Sequence, residues 1–537
     1  MRNSRIGRRP GTRAVAAAGL VALTASVVAA CGSGRTDDAG GSAGLVVGTT
    51  DKIFSLDPAA AYDYGSFAAE TQIYQHLLNF APGDATPAPD AAQKCEFTAP
   101  TVYTCTLKEG LTFANGNPLT ADSVKFSFDR MLRINDPNGP ASLLGNLDKT
   151  DVVDASTVAF TLKMADDQTF PSVLATQAGP IVDEQVYSPD AVMSDDDVVR
   201  AKGYSGPYTI ESYDKNKLVE YRAFDGYDGI LGAPKTETVS TKYYATSDNM
   251  KLDLQNGSLD VGYRSFTPTD IESLRNDNRV AVHEGSGGEL RYIVFNLNTM
   301  PGGTPEQKLA VRKAIASSVD RDALADSVYK KTYVPAYSSV PPGVPGAVEP
   351  FKDIYGAQPN KDQAAKFLAD AGIATPVELN LQYNPDHYGS SSSEEYAAIK
   401  SQLEATGLFR VNLQSTEWVT YQKERVQDTY PLYQLGWYPD FPDPDSYLTP
   451  FFGPNNFLQS HFEDPGITAQ LIAEVTEQDE AERMQQIEQL QRDLAQNFLP
   501  ILPLLSGKQI AVSATGIQGV EQTLDASFKF RYSVLSK

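Results

Sequence analysis

Cysteine, tryptophan and histidine are scarce here: three, two and four occur among 537 residues. The histidines, His76, His283, His387 and His461, stand far apart in sequence, and none accompanies a cysteine cluster. Zinc sites of the HExxH or Cys/His type need ligands a few residues apart on one turn, so those patterns are excluded. No GxxxxGK[ST] phosphate loop occurs, and neither GxSxG nor GxGxxG follows a strand-like run. No catalytic constellation is therefore recognisable, and no cofactor is implied. Positive charge is also in deficit. Lys and Arg number 45 against 68 Asp and Glu, a formal charge of −23. Residues 1–30 hold five Arg and no acid, so from Cys31 onward 40 bases face 68 acids, or −28. Such a surface repels phosphate backbones and excludes nucleic acid as a partner. The acid is dispersed and serves solubility first, with a weak bias toward neutral or cationic ligands as the alternative.

Long apolar runs are missing as well, with one short exception. Arg2, Arg5, Arg8, Arg9 and Arg13 precede Ala14–Ala30, which is mostly Ala, Val and Leu. A basic head, a short apolar stretch and small residues at its end make a secretory signal. Seventeen weakly apolar residues are at the short limit for a membrane span. The run ends Val28-Ala29-Ala30-Cys31, and this segment resembles the lipobox of bacterial lipoproteins. The resemblance implies cleavage of a signal peptide, residues 1–30, and a diacylglyceryl group on Cys31. The protein would then be held at the outer face of the cytoplasmic membrane. Residues 31–44, mostly Gly, Ser, Asp and Ala, read as a flexible tether. Two cysteines remain, Cys95 and Cys105, with Pro100 midway at the centre of an expected β-hairpin. In an oxidising compartment that arrangement favours a disulfide.

The rest alternates strand and helix patterns. Leu45–Thr50 reads as a buried strand. Tyr64–Phe80 carries Phe67, Ile73, Tyr74 and Leu77 at helical spacing. Asn115-Gly116 marks a turn, and Thr120 with Asp122 opens a helix whose Val124, Phe128 and Met131 share a face. Strands are expected at 208–212, 217–221 and 291–296. Thr304-Pro305-Glu306-Gln307 is a capping box before Val311, Ile315 and Val319. Further helices are expected from Asn360, over 394–403 and over 480–498, with strands at 377–382, 409–413 and 433–437. The fold class is α/β. About 500 residues exceed one core of ~250–300 residues, yet no solenoid repeat and no long linker appears.

Several of these segments carry a family resemblance. Tyr103-Thr-Cys-Thr-Leu107 through Gly110, Asn115-Gly116 and Thr120 to Val124 is the clearest. Gly203-Tyr-Ser-Gly206-Pro207-Tyr208, Leu254-Gln-Asn-Gly257-Ser-Leu-Asp260-Val261, Val311-Arg312 with Val319-Asp320-Arg321, and Ala364–Gly372 follow in order. Together they resemble the extracellular solute-binding proteins of family 5, the dipeptide and oligopeptide receptors of bacterial ABC importers. The resemblance covers essentially everything from Leu45 on. It implies a two-lobed fold of the periplasmic-binding-protein type, class II, with an extra subdomain at about 85–200 in lobe one. Lobe one would comprise 45–290 plus 506–537, and lobe two 291–505.

The resemblance also proposes ligand contacts. In Leu435-Gly436-Trp437-Tyr438-Pro439-Asp440, Asp440 takes the place of the aspartate that receives a peptide's ammonium; otherwise it caps a turn among prolines. Trp437, Tyr438 and Trp418 are either pocket walls or core. Arg425 resembles a basic position that holds a ligand carboxylate, and otherwise lies at the surface. Tyr64, in the early loop 61–66, contacts ligand or merely joins strand to helix. No Arg occurs in Leu381–His387, where dipeptide-specific relatives carry one, so a longer peptide or another solute gains weight. The implied protein is not an enzyme. It would be a monomeric receptor that hands a small peptide to ABC permease subunits. Alternatives are the same fold with an oligosaccharide, nickel chelate, haem or opine as cargo, a surface hydrolase, or a peptide sensor.

Overall fold

The structure, a computed structural model, describes residues 44–537. The expected signal peptide, Cys31 and nearly all of the tether lie outside the described residues. Among the described residues no helix is long and apolar enough to cross a membrane.

One sheet of eleven strands runs through the protein. Its order is Phe409–Ser415, Val377–Tyr383, Leu432–Trp437, Val280–Phe295, Ile501–Ala514, Val261–Tyr263, Leu45–Thr49, Thr238–Tyr243, Leu218–Ala223 and Tyr208–Asp214, with Tyr333–Pro335 added beside 501–514. The two longest strands, 280–295 and 501–514, pair antiparallel at the centre. The second half of the first, Leu290–Phe295, also pairs with Trp437–Leu432. The second half of the other, Ala511–Ser513, pairs with Val261–Tyr263. Each strand therefore spends one half in each lobe, and the α/β fold is two-lobed as expected.

Between the halves the ladder is broken. Gly285 opposes Gln509 and Glu289 opposes Gly507, so Ser286–Gly288 bulge against Lys508 alone. The sequence Gly285-Ser-Gly-Gly288 suits this bulge. A Cβ on Gly287 would lie 1.8 Å from the Gly507 carbonyl oxygen, and Gly288 has φ +66°. Only glycine meets both conditions without strain.

A separate antiparallel sheet, in the order Ala92–Ala99, Val102–Leu107, Thr157–Leu162 and Leu147–Asp154, forms the extra subdomain. Buried and half-exposed residues alternate along Val102–Leu107 and Thr157–Leu162, the mark of a sheet with one face on the core. That face meets helix Ala121–Ile134, whose Val124, Phe128 and Met131 pack in the same cluster as Phe160 and Phe170. Thr120 and Ser123 cap the helix reciprocally. Cys95 and Cys105 face each other across the 92–107 hairpin and form the expected disulfide.

Two expected helices need correction. The helix from Tyr64 ends at Ile73, and Leu78–Phe80 is a strand paired with Pro87–Pro89. The Gly206 amide takes the Ile73 carbonyl at 2.7 Å, and a Cβ on Gly206 would sit 2.4 Å from the Ile73 carbonyl carbon. Tyr74 and Leu77 are apolar because they are core residues, so their spacing no longer reports a helix. At Thr304 the side chain accepts from the Gln307 amide, but the Gln307 side chain accepts from Gly303, one residue before the box position. That helix stops at Ala316, short of the buried Val319. The helix from Glu480 is regular to Asp493 and widens into a π turn over Leu494–Phe498. Helix Trp418–Arg425, and helix Pro465–Val475 with Asp464 as its cap and Pro at its first position, were not anticipated.

Replacing Cys95 and Cys105 by Ser is expected to lower unfolding free energy by about 2–3 kcal/mol. Urea titration should show it, and reduced wild type should superimpose on the double variant.

Candidate binding cleft

Two contiguous cavities lie where the lobes meet. One, of about 340 Å³, is walled by Tyr62, Tyr64 and Phe67 on one side and by Trp418, Trp437 and Asp440 on the other. The second, of about 410 Å³, surrounds Glu289 and Arg291 of the crossing strand, with Arg264 and Lys508 also in its wall. His387, Tyr388, Tyr438 and Phe528 line both, so they form the partition. Each cavity falls within the size usual for a small-molecule site.

Asp440 is placed by the sheet. Gly436 opposes Arg291 and Trp437 opposes Leu290, which fixes where strand 432–437 ends. The chain then leaves the sheet through Tyr438-Pro439, and the Asp440 amide donates to Ser446 Oγ at 3.3 Å. The Tyr62 hydroxyl, from the opposite wall, donates to Asp440 Oδ1. No cation accompanies the carboxylate. Burial pushes its pKa up to about 6, against a smaller opposing pull from the Tyr62 hydrogen bond. Asp440 does not cap the proline turn. Asp443 does so, accepting from the Asp445 amide at 2.8 Å while its carboxylate pairs with Arg483. Asp445 is buried and accepts from Thr449. A second carboxylate of this cavity, Asp63 on the Tyr62 side, caps helix 64–73 through Oδ1, leaves Oδ2 without a partner among the described residues, and is pushed up by burial.

The aromatic residues singled out from the sequence come together here. Trp437 meets Phe451 edge-on at 5.2 Å, and its Nε1 has no hydrogen-bond partner. Trp418 stacks on His387 at 3.7 Å with the planes 2° apart. Tyr64 and Tyr438 meet edge-to-face at 5.2 Å, and the Arg264 guanidinium lies 4.3 Å over the Tyr64 ring. Both tryptophans also pack against a core cluster of the second lobe, so wall and core are one surface.

Arg425 is not part of it. The side chain is 5% exposed, donates to the Phe457 and Leu458 carbonyls, and lines neither cavity. Its work is to hold the 457–458 loop, and the ligand-carboxylate role expected for it has no support in its position.

Five charged or polar wall residues were not anticipated. Arg291 and Glu289 sit two apart on the crossing strand, hence on one face, and pair at 2.6 Å. Burial is the largest single influence and opposes the Arg291 charge, but Glu289 together with Tyr333, Tyr438 and Tyr329 outweighs it and pushes the guanidinium pKa up. A Glu-x-Arg pair beginning an otherwise apolar strand is the one sequence signal that pointed to it. Arg264 and Ser265 follow one another at φ +63° and +65°, a left-handed pair without glycine. Such strain collects at functional sites, and no sequence pattern announces it. His387 is pushed down to about 4 by burial first and by Arg291 second, so it is neutral near pH 7. It stacks on Trp418 in the cleft, whereas the histidine that meets a hydroxyl is His283, which lines neither cavity and lies with Nε2 2.8 Å from Ser513 Oγ and Nδ1 3.1 Å from Glu521. Among the described residues no cluster of metal-ligating side chains occurs.

Comparison with known proteins agrees with this geometry. The sequence profile described as "Bacterial extracellular solute-binding proteins, family 5 Middle" matches residues 86–483. The probable D,D-dipeptide-binding periplasmic protein DdpA of Escherichia coli is 26% identical over 469 residues, covering 83% of this chain and 86% of that one. The periplasmic oligopeptide-binding protein OppA of Salmonella typhimurium is 25% identical over 455 residues, covering 80% and 81%. The structure of HbpA2 from Haemophilus parasuis superimposes with a TM-score of 0.79 at 23% identity, covering 92% of this chain and 99% of the other. Other matches are named for binding haem or glutathione, or were solved with agropinic acid.

Asp440 yields a prediction with a definite sign. Its folded pKa of about 6 lies above the ordinary 3.8, so its ionisation costs stability above pH 6. Asp440→Asn should therefore raise the melting temperature of the ligand-free protein at pH 7–8. The gain should fade as pH falls toward 4, where wild type is protonated as well; calorimetry over pH 4–8 measures it.

Proposed function

The chain belongs to the bacterial extracellular solute-binding proteins of family 5, and from that premise we propose that it is the peptide receptor of an ABC importer. The receptor takes up a short free-amine peptide between lobes 45–290 with 506–537 and 291–505, and presents it to the permease. It acts as a monomer and performs no chemistry on its cargo. An oligopeptide suits it better than a strict dipeptide, because Leu381–His387 contains no Arg. Cys31 carries the lipid that keeps the receptor at the outer face of the cytoplasmic membrane.

The observation that carries this reading is Asp440: a carboxylate in the cleft wall with a tyrosine for company and no cation. An unpaired carboxylate in a low-dielectric site is costly, and a ligand ammonium supplies the missing charge through charge-assisted hydrogen bonds. Trp418, Trp437 and Tyr438 add flat surfaces that accept side chains of many shapes. The aromatic walls equally suit a flat non-peptide solute, and this is the second reading. It needs no amine anchor.

Calorimetric titration with free-amine tri- to pentapeptides separates the two. Peptide binding should weaken by more than about tenfold in Asp440→Ala. Affinity should also fall below pH 6 as Asp440 takes up a proton, and should vanish on N-acetylation. Tight binding of N-acetylated peptides, or no loss in Asp440→Ala, would overturn the amine anchor. Native mass spectrometry of protein purified without refolding identifies any other cargo.

A further inference from the structure

Prolines cut Asp440 off from the sheet. Pro439, Pro442 and Pro444 follow strand 432–437 and bring no amide donors, so no ladder holds this segment. Its amides reach only nearby residues: that of Asp440 donates to Ser446 Oγ at 3.3 Å, and that of Asp443 to the Phe441 carbonyl at 2.9 Å. Side chains must therefore place it. Asp443 does so on one side, through its bidentate pair with Arg483 at 2.8 Å. Arg483 Nε donates in turn to the Glu474 carbonyl at 3.1 Å, which ties the segment to helix Pro465–Val475.

Phe441 holds the other side. It is 9% exposed and packs in the core of the extra subdomain. Among the described residues every other buried member of that cluster comes from Ala59–Ile181, so Phe441 is the one member from elsewhere in the chain. The same subdomain also holds Tyr62, which donates to Asp440 from the opposite wall. The Tyr62 amide donates to the Asn138 carbonyl at 3.0 Å, just beyond helix Ala121–Ile134. Two further bonds join the subdomain to the end of helix 465–475 and the loop after it: the Gln168 amide to the Val475 carbonyl, and Gln478 Nε2 to Asp166 Oδ1, both at 2.9 Å. Asp440 is thus clamped from both sides, although Gln177 is the one residue of 85–200 in the wall of its cavity.

We propose that Phe441 is the positioning residue of the amine anchor: its ring, seated in the subdomain core, fixes how deep in the cleft wall the Asp440 carboxylate lies. The proposal rests on the amine-anchor reading of Asp440. It gives the subdomain a part in recognition beyond the contact of Gln177. Depth matters because a desolvated carboxylate pairs strongly with an ammonium, whereas a hydrated one pairs weakly. Burial is also what raises Asp440, so depth can be read without a ligand.

The test reads the carboxylate both ways. Melting temperatures of full-length, ligand-free protein are measured at pH 8 for wild type, Asp440→Asn, Phe441→Ala and the double variant. Asp440→Asn should raise the melting temperature in the wild-type background and not in the Phe441→Ala background, where the freed carboxylate is hydrated and ionises at no cost. A purely structural Phe441 would lower both melting temperatures and leave the gain intact, which would overturn the proposal. Retention from random tri- to pentapeptides, with free or acetylated amines, is then quantified by mass spectrometry. Wild type should prefer free amines by more than about tenfold, and Phe441→Ala should lose most of that preference. Phe441→Leu keeps an apolar side chain in the cluster and guards against a chain that fails to fold; it should move both readings in the same direction by less. Gln478→Ala removes the Asp166 contact with Phe441 still seated and should move neither. An equal change there would mean general loosening and would overturn the proposal. No preference in wild type would remove the amine anchor, and this proposal with it. A wild-type preference retained in full by both Phe441 variants would overturn the positioning role alone.

Discussion

The antiparallel pairing of Val280–Phe295 with Ile501–Ala514 is the constraint on which the rest of the molecule hangs. Each strand is shared, half with the sheet of one lobe and half with that of the other. Backbone hydrogen bonds of both lobes therefore close through one ladder, and neither sheet ends in an open edge at the junction. The ladder breaks at Ser286–Gly288, where glycine permits both the close approach to Gly507 and the positive φ, and shifts register again between Arg291 and Tyr292.

The same ladder builds the cleft. Residues immediately after the bulge, Glu289 and Arg291, point into one cavity, and the register with strand 432–437 sets Trp437 and Asp440 at the edge of the other. A shift of one residue would turn these side chains to the opposite face. The strand shared by both halves of the sheet and the cleft wall are thus one element. The lobes also touch at the mouth of the cleft. Tyr62 reaches Asp440, the Gln168 amide donates to the Val475 carbonyl at 2.9 Å, and Phe441 packs into the core cluster of the extra subdomain. Phe441 follows Asp440 directly, so the cleft carboxylate is bonded to a residue buried in that cluster.

Electrostatics gives this arrangement its polarity. The protein is acidic throughout, yet three cations are gathered in one cavity wall, and two carboxylates stand without cations in the next. Most of the buried ion pairs elsewhere, such as Arg130 with Asp57 or Arg483 with Asp443, are closed and satisfied. In the cleft Arg291 Nη1, Trp437 Nε1 and Asp63 Oδ2 lack hydrogen-bond partners among the described residues, as do buried atoms elsewhere such as Arg321 Nη1 and Nη2. Unsatisfied groups reduce the stability of the empty protein and are recovered when a complementary ligand completes them.

Much of this was legible in the residues alone. Helix starts at Thr120 and Asn360, the hairpin that joins Cys95 to Cys105, and the alternation of strands and helices follow from local rules of capping, turn chemistry and periodicity. The ordered landmarks from Tyr103 to Gly372 carried the family and with it the two-lobed fold. Asp440 and the tryptophans stood out because a charge among prolines and a rare aromatic are locally visible. Three things required the tertiary structure. The helix from Tyr64 stops where Gly206, 133 residues beyond Ile73, meets its last carbonyl. Arg425 turned inward to two carbonyls, a choice made by a loop more than thirty residues away. Arg291 became a cavity wall because strands 432–437 and 501–514 pair on either side of it. Periodicity and capping act over a few residues and can be read along the chain. The polarity of a cleft depends on which distant side chains share a low-dielectric space, and only the folded chain brings them together.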